Sequence, residues 1–102
     1  MVASLAPSIQ HDTQRQRFTA EVAGLTCIAT YQRRGHHIVM DHTGVPAELQ
    51  GQGLAALLVQ AALDWARQEG LKVVPQCSYV AVYMRRHPET LDLLYRATPA
   101  DQ

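Results

Sequence analysis

The chain has 102 residues, 47% of them hydrophobic, with nine basic residues against nine acidic ones. That length holds one domain with one core and is too short for two. The balanced charge supplies no positive field to draw nucleic acid or an anionic membrane, and no segment has the length and apolarity of a membrane span.

Cys27 and Cys77 lie far apart with no C-x-x-C spacing. This disfavours a disulfide framework or a thiolate zinc site and fits a reducing cytoplasm. Residues 1–7 have no basic start and no sustained apolar run, so they read as a loose start rather than a signal peptide. Ser8 to Asp12 reads as a short first strand. Arg17 to Val22 places Phe18, Ala20 and Val22 on one side, the period of a strand. Ala23-Gly24 marks a hairpin turn, Leu25 to Tyr31 the return strand, and Arg33-Arg34-Gly35 a second hairpin. His37 to His42 is a fourth strand. His36 and His37 read as solvated hairpin residues. A metal site from His36, His37, Asp41 and His42 is disfavoured, because alternation splits them between faces.

The pattern changes at Gly44-Val45-Pro46. Leu54, Leu57, Leu58, Ala61, Ala62, Trp65 and Ala66 recur every three or four residues, which predicts an amphipathic helix with Trp65 and the leucines in the core. Gly70 stands where a glycine ends such a helix. Leu71 to Val74 reads as a short buried strand, its pairing ended on one side by Pro75. Ser78 to Arg86 reads as a second helix, with a strand as the competing assignment because Tyr79-Val80-Ala81-Val82-Tyr83 favours β-structure. Pro88 begins a last short helix, and residues 97–102 read as a frayed tail. Nothing in the pattern sets an oligomeric state.

A helix between two strands usually makes them parallel, and ligands of such sheets bind beyond the strands' carboxyl ends, beside the helix N-terminus. The turn Gln50-Gly51-Gln52-Gly53-Leu54-Ala55 falls there. Helix N-termini carry unpaired N–H groups and partial positive charge; Gly51 and Gly53 would let backbone approach a pyrophosphate closely. Short Gly-x-Gly sequences before helices also serve packing alone.

Gln50 to Ala55 matches the Gln/Arg-x-x-Gly-x-Gly/Ala signature of the GNAT superfamily of N-acetyltransferases. The chain resembles its small, single-domain branch through His42-Thr43-Gly44-Val45-Pro46, Glu48 to Ala55, Ala61 to Ala66, Val74 to Val80 and Arg85-Arg86-His87-Pro88-Glu89. The resemblance covers about residues 8–94 and is specific in the second half. It implies an α/β fold with a mixed, largely antiparallel sheet, one main crossover helix and a short C-terminal helical region, over one minimal domain. It also implies acetyl-CoA as acyl donor and an amine as acceptor, a protein lysine or N-terminus among the candidates. Membrane and nucleic acid are not expected partners. A non-catalytic CoA-binding or protein-interaction domain is the alternative.

The resemblance places pantetheine along the fourth strand, near Met40, Asp41 and Thr43, and the phosphates at Gln50, Gly51, Gln52, Gly53, Leu54 and Ala55. Many relatives have Arg where Gln50 stands, which removes one charge from the phosphates. Arg85 or Arg86 would supply charge to the nucleotide end. A backbone N–H on the fourth strand would polarise the thioester. His42, at the strand end, is the candidate base or substrate contact; holding its loop is the alternative. Cys77 is expected to line the pocket, with nucleophilic catalysis as the competing role if its pKa is lowered. Tyr79 and Tyr83 are candidates for the acid that protonates the departing thiolate; packing in the core is the other reading. No N-terminal helices precede the strands, so the acceptor groove is expected to be open.

Overall fold

The computed structural model describes residues 8–96; the loose start and frayed tail expected above lie outside them. Five strands, β1 (Ile9–Asp12), β2 (Arg17–Val22), β3 (Leu25–Arg34), β4 (His37–Gly44) and β5 (Lys72–Pro75), form one sheet in the order β1-β2-β3-β4-β5. The first three pairings are antiparallel and β4 pairs parallel with β5. The crossover is helix α1 (Leu54–Gln68), and α2 (Ser78–Arg86) and a 3-10 segment (Pro88–Leu93) follow β5.

Alternation assigns the sheet its buried face. Phe18, Ala20, Cys27, Ala29, Tyr31, Ile38, Met40 and Val73 form a core with Leu54, Leu58, Val59, Ala62, Leu63 and Ala66 of α1 and with Val80, Tyr83 and Met84 of α2. The spacing of those last three residues makes α2 a helix in spite of its β-formers: burial at positions three and four apart outweighs local propensity.

The opposite sheet face presents Gln10, Thr19, Glu21, Thr26, Thr30 and Gln32, none of them buried. Strands with one solvated face alternate in this way.

Several sequence assignments change, among them the end of the fourth strand, which runs on to Gly44, and Pro75, which lies within β5 and pairs with Met40. Arg33 and Arg34 belong to β3, paired with Ile38 and His37, and the turn moves to Gly35 and His36, where Gly35 supplies a φ of 63°. Exposed arginines tolerate a strand end because their stems lie along it while the charge stays in water. His37 is not a solvated turn residue; it lies in β4 and stacks on Tyr95 at 4.1 Å. Leu57 is not core, being 39% exposed beside α2.

Sequence patterning also missed His11. Its ring stacks on Phe18 at 4.0 Å, meets Trp65 edge-on at 4.5 Å, and its Nε2 lies 2.6 Å from the Tyr31 hydroxyl. These contacts fasten the first strand to α1.

Candidate active site

β5 ends at Pro75, which pairs with Met40. β4 runs on to Gly44, so its last four residues have lost their neighbour on that side. The Cys77 N–H donates to the Met40 carbonyl at 2.9 Å, and the chain then turns into α2 with Cys77 as its N-cap. A cleft opens where the two strands part.

A bulge decides which residues face it. β3 and β4 pair through Thr30↔His42, then resume at Tyr31↔Met40, leaving Asp41 as the extra residue. A bulge re-aims side chains by breaking the period of two. Asp41 accepts hydrogen bonds from Thr30 Oγ1 at 2.6 Å and Gln32 Nε2 at 3.1 Å, both on the open sheet face. His42 lies on that face too, its Nε2 3.2 Å from where a Cβ on Gly44 would stand. Thr43 is opposite buried Ala29 and faces the helices. The bulge thus divides the motif: Thr43 to the cleft, Asp41 and His42 to open solvent.

On the helix side, Thr43, Val45, Leu49, Gln50, Gly51, Gly53, Leu54, Ala55 and Tyr79 line a groove of about 430 Å³. Gly51 and Gly53 have φ of 84° and 77°, values that suit glycine because a Cβ would be strained there. Gly53 is the N-cap of α1 and contributes no side-chain cap. The first N–H groups of α1 therefore lie at the groove without intrahelical partners, and this positive end fits a phosphate. Gln50 borders the groove, but its Nε2 donates to the Val45 carbonyl at 3.1 Å and braces the turn.

A second groove of about 410 Å³ continues between α1 and α2, lined by Ala56, Leu57, Gln60, Tyr79, Val82, Tyr83, Arg86 and His87. Tyr79 borders both grooves.

The expected site residues divide accordingly. Thr43, the Gln50–Ala55 turn and Tyr79 converge; Gln52 is exposed on the turn but is not among the lining residues. The Met40 side chain is buried in the core beneath the helices at 1% exposure, so only its backbone is available to the cleft. The Asp41 side chain points to the other face, away from the groove beside α1. Of the arginine pair only Arg86 lines a groove; Arg85 is exposed outside both. Tyr83 lies in the second groove, where its hydroxyl donates to Gln60 Oε1 and its ring stacks on His87 at 3.9 Å. Burial, then the negative charges of Glu89 and Asp64, make its phenol hold the proton more tightly than usual. Tyr79, not Tyr83, borders the groove that reaches Thr43.

Cys77 is half-buried, its Sγ 3.8 Å from Thr43 Oγ1. Burial opposes ionisation of this thiol. Hydrogen bonding from the Val80 backbone, the Thr43 hydroxyl and the backbone of Tyr79 and Thr43 outweighs it, and the thiol sits below its ordinary range. Asp41 is likewise held low: burial acts against it, but Thr30, Gln32 and its own backbone favour the carboxylate.

A sheet that parts between two parallel strands, with a glycine turn opening the crossover helix, defines a GNAT-type acyltransferase fold. Residues 17–93 match the family model described as GCN5-related N-acetyl-transferase, and the chain belongs to that family. Protein NATD1 of Gallus gallus is 35% identical over 83 residues, covering 78% of this chain and 76% of its own. Protein NATD1 of Homo sapiens is 35% identical over 83 residues, covering 78% and 74%. The solution structure of a GCN5-like protein from Staphylococcus aureus superposes with a TM-score of 0.70 at 24% identity, over 94% of this chain and 95% of that one; it shares the fold.

Proposed function

We propose that the protein binds acetyl-CoA in the groove between the end of β4 and α1 and transfers the acetyl group to an amine. The observation that carries this reading is the parting of β4 from β5 beside an uncapped helix N-terminus. One cleft then has a phosphate-binding end and a polar strand edge. Acetyl-CoA supplies the activated acyl group. The N–H groups at the start of α1 hold its phosphates, and the unpaired edge of β4 beyond Met40 offers N–H groups to the acyl oxygen. The amine arrives from the open face, where His42 takes its proton. Tyr79, bordering both grooves, returns a proton to the departing thiolate. Cytoplasmic residence suits the two free cysteines.

A second reading keeps the same binding site but makes Cys77 the first acyl acceptor. Its lowered pKa and its place at the helix start favour the thiolate. The thiolate would displace CoA, and the amine would then displace Cys77. A third reading, a CoA-binding or interaction domain without turnover, is favoured by an acceptor side that no described residue covers. Release of free CoA thiol from acetyl-CoA, measured with and without lysine peptides and small primary amines, separates turnover from binding alone. Amine-dependent release supports transfer; acetyl-CoA binding without release under any amine sinks it.

A further inference from the structure

We propose that the sheet face opposite the helices selects acceptors in which the reactive amine is separated from an anionic group by about two strand spacings, with Asp41 drawing the ammonium and Arg17 taking the anion. This rests on the acetyl-transfer reading and adds to it the charge pattern of the acceptor.

The register aligns the parts. Asp12, Arg17, Thr30 and His42 are successive partners across β1 to β4, so they form one row, and the bulge brings Asp41 onto the same face beside Thr30. Asp12 is occupied by Arg15 at 3.4 Å. The partners of Asp41 are the neutral Thr30 and Gln32. Arg34 reaches Gln32 Oε1 at 2.7 Å and makes no ion pair with Asp41. A carboxylate accepts about four hydrogen bonds, so Asp41 retains capacity for an ammonium. Arg17 borders two shallow polar depressions with Gln10 and Thr19. Among the described residues it has no ion pair, and its buried Nε has no hydrogen-bond partner. The row therefore carries a carboxylate beside His42 and a guanidinium opposite Asp12, neither of which makes an ion pair among the described residues. Two interstrand spacings set them about 10 Å apart. A flexible dipolar amine of that span lays its nitrogen at Asp41 and His42, beside the cleft, and its anion at Arg17. A plain amine uses only the carboxylate, and a diamine sets a cation against Arg17.

The test is an amide-shift titration of the full chain, saturated with CoA, using ω-aminooctanoate, octylamine and α,ω-diaminooctane. The expected order of affinity is aminooctanoate, octylamine, diamine, with about fivefold between the first two, the range of exposed ion pairs. Shifts should appear at Arg17, Thr30, Asp41 and His42. Arg17→Gln should reduce aminooctanoate to the affinity of octylamine, whereas Arg17→Lys should keep most of the preference. Asp41→Asn should weaken both ligands and leave CoA affinity unchanged. Equal affinities for aminooctanoate and octylamine, a preference that survives Arg17→Gln, or shifts confined to the α1–α2 groove would each overturn the inference. If CoA leaves the Gly51 to Ala55 amides unmoved, the acetyl-transfer reading fails instead, and the same titration on the free protein still reads the charge pattern of the face.

Discussion

Thr43 Oγ1 and Cys77 Sγ lie 3.8 Å apart at the point where β4 outruns β5. This contact joins the two sides of the cleft, because Thr43 belongs to the free end of β4 and Cys77 caps α2. The hydroxyl helps hold the thiol below its ordinary range. The reaction rate of Cys77 with an alkylating reagent should therefore rise through a midpoint below 9.0, the ordinary thiol value. Thr43→Val should move that midpoint upward. Buried Cys27, with 0% exposure, serves as the unreactive internal control. A midpoint at or above the ordinary value would contradict the geometry.

The same residue separates two chemical routes. If Cys77 only borders the cleft, Cys77→Ala should retain transfer within about tenfold of the parent, since it loses packing and not a reacting atom. Mass spectrometry after brief mixing with acetyl-CoA should then find no acetyl group on Cys77 that decays at the turnover rate. A competent acetyl-thioester together with an inactive Cys77→Ala variant would establish the two-step route.

Gly44 leaves space for the His42 ring. A Cβ at position 44 would stand 3.2 Å from His42 Nε2 and 3.6 Å from Ile28 Cγ1. The first neighbour is the tip of a mobile side chain, so Gly44→Ala should fold normally and turn the imidazole aside. Acetyl-CoA affinity should not change. The value of kcat/KM for the amine should fall by about tenfold, a part of what a positioned base contributes. In a His42→Ala background Gly44→Ala should cost nothing further, because both changes remove the same interaction. Equal losses in the two backgrounds would show that Gly44 acts elsewhere.

Stability should depend on His11. Burial lowers its pKa, against a smaller opposing effect of Asp12. The unfolded chain then binds the proton more readily than the folded one. Stability is full above 6.5, the ordinary imidazole value, and declines as the pH falls below it until the folded-state value is reached. His11→Phe should keep the stacking on Phe18 and Trp65 and flatten the thermal midpoint across that interval. An unchanged slope in His11→Phe would assign the pH dependence to other groups.

Much of the fold was legible because long segments obey one period. The meander, the 54–68 helix and the parallel β5 all follow from alternation or three-four spacing, and the glycine turn follows from its place between them. Relations across strands were less accessible. The role of His11 exists only once β1 pairs with β2 and brings its ring over Phe18 and toward Trp65. Leu57 fits the helical stripe yet stays exposed, because α2 leaves a groove over that part of α1. The separation of Asp41 and His42 from Thr43 could not be read from alternation, since the bulge interrupts it. The place of Gln50 at the groove followed from its motif position, but the hydrogen bond of its amide to the Val45 carbonyl is set by the conformation of the turn.

The positive φ of both turn glycines limits how the phosphate site can be tested. A valine at Gly53 would be strained at a φ of 77° whether or not a ligand approaches, so lost binding would be ambiguous. Ala55 avoids this difficulty. It lies in the first turn of α1 and borders the groove. An aspartate there favours the helix dipole by about 0.3–1 kcal/mol while opposing a bound pyrophosphate. Calorimetric titration of acetyl-CoA into the parent and Ala55→Asp proteins, with thermal unfolding of both, therefore tests the proposed site directly. The expected result is saturable binding to the parent and affinity at least about tenfold weaker in a variant as stable as the parent. No binding to the parent, or equal affinity in the two proteins, would contradict it.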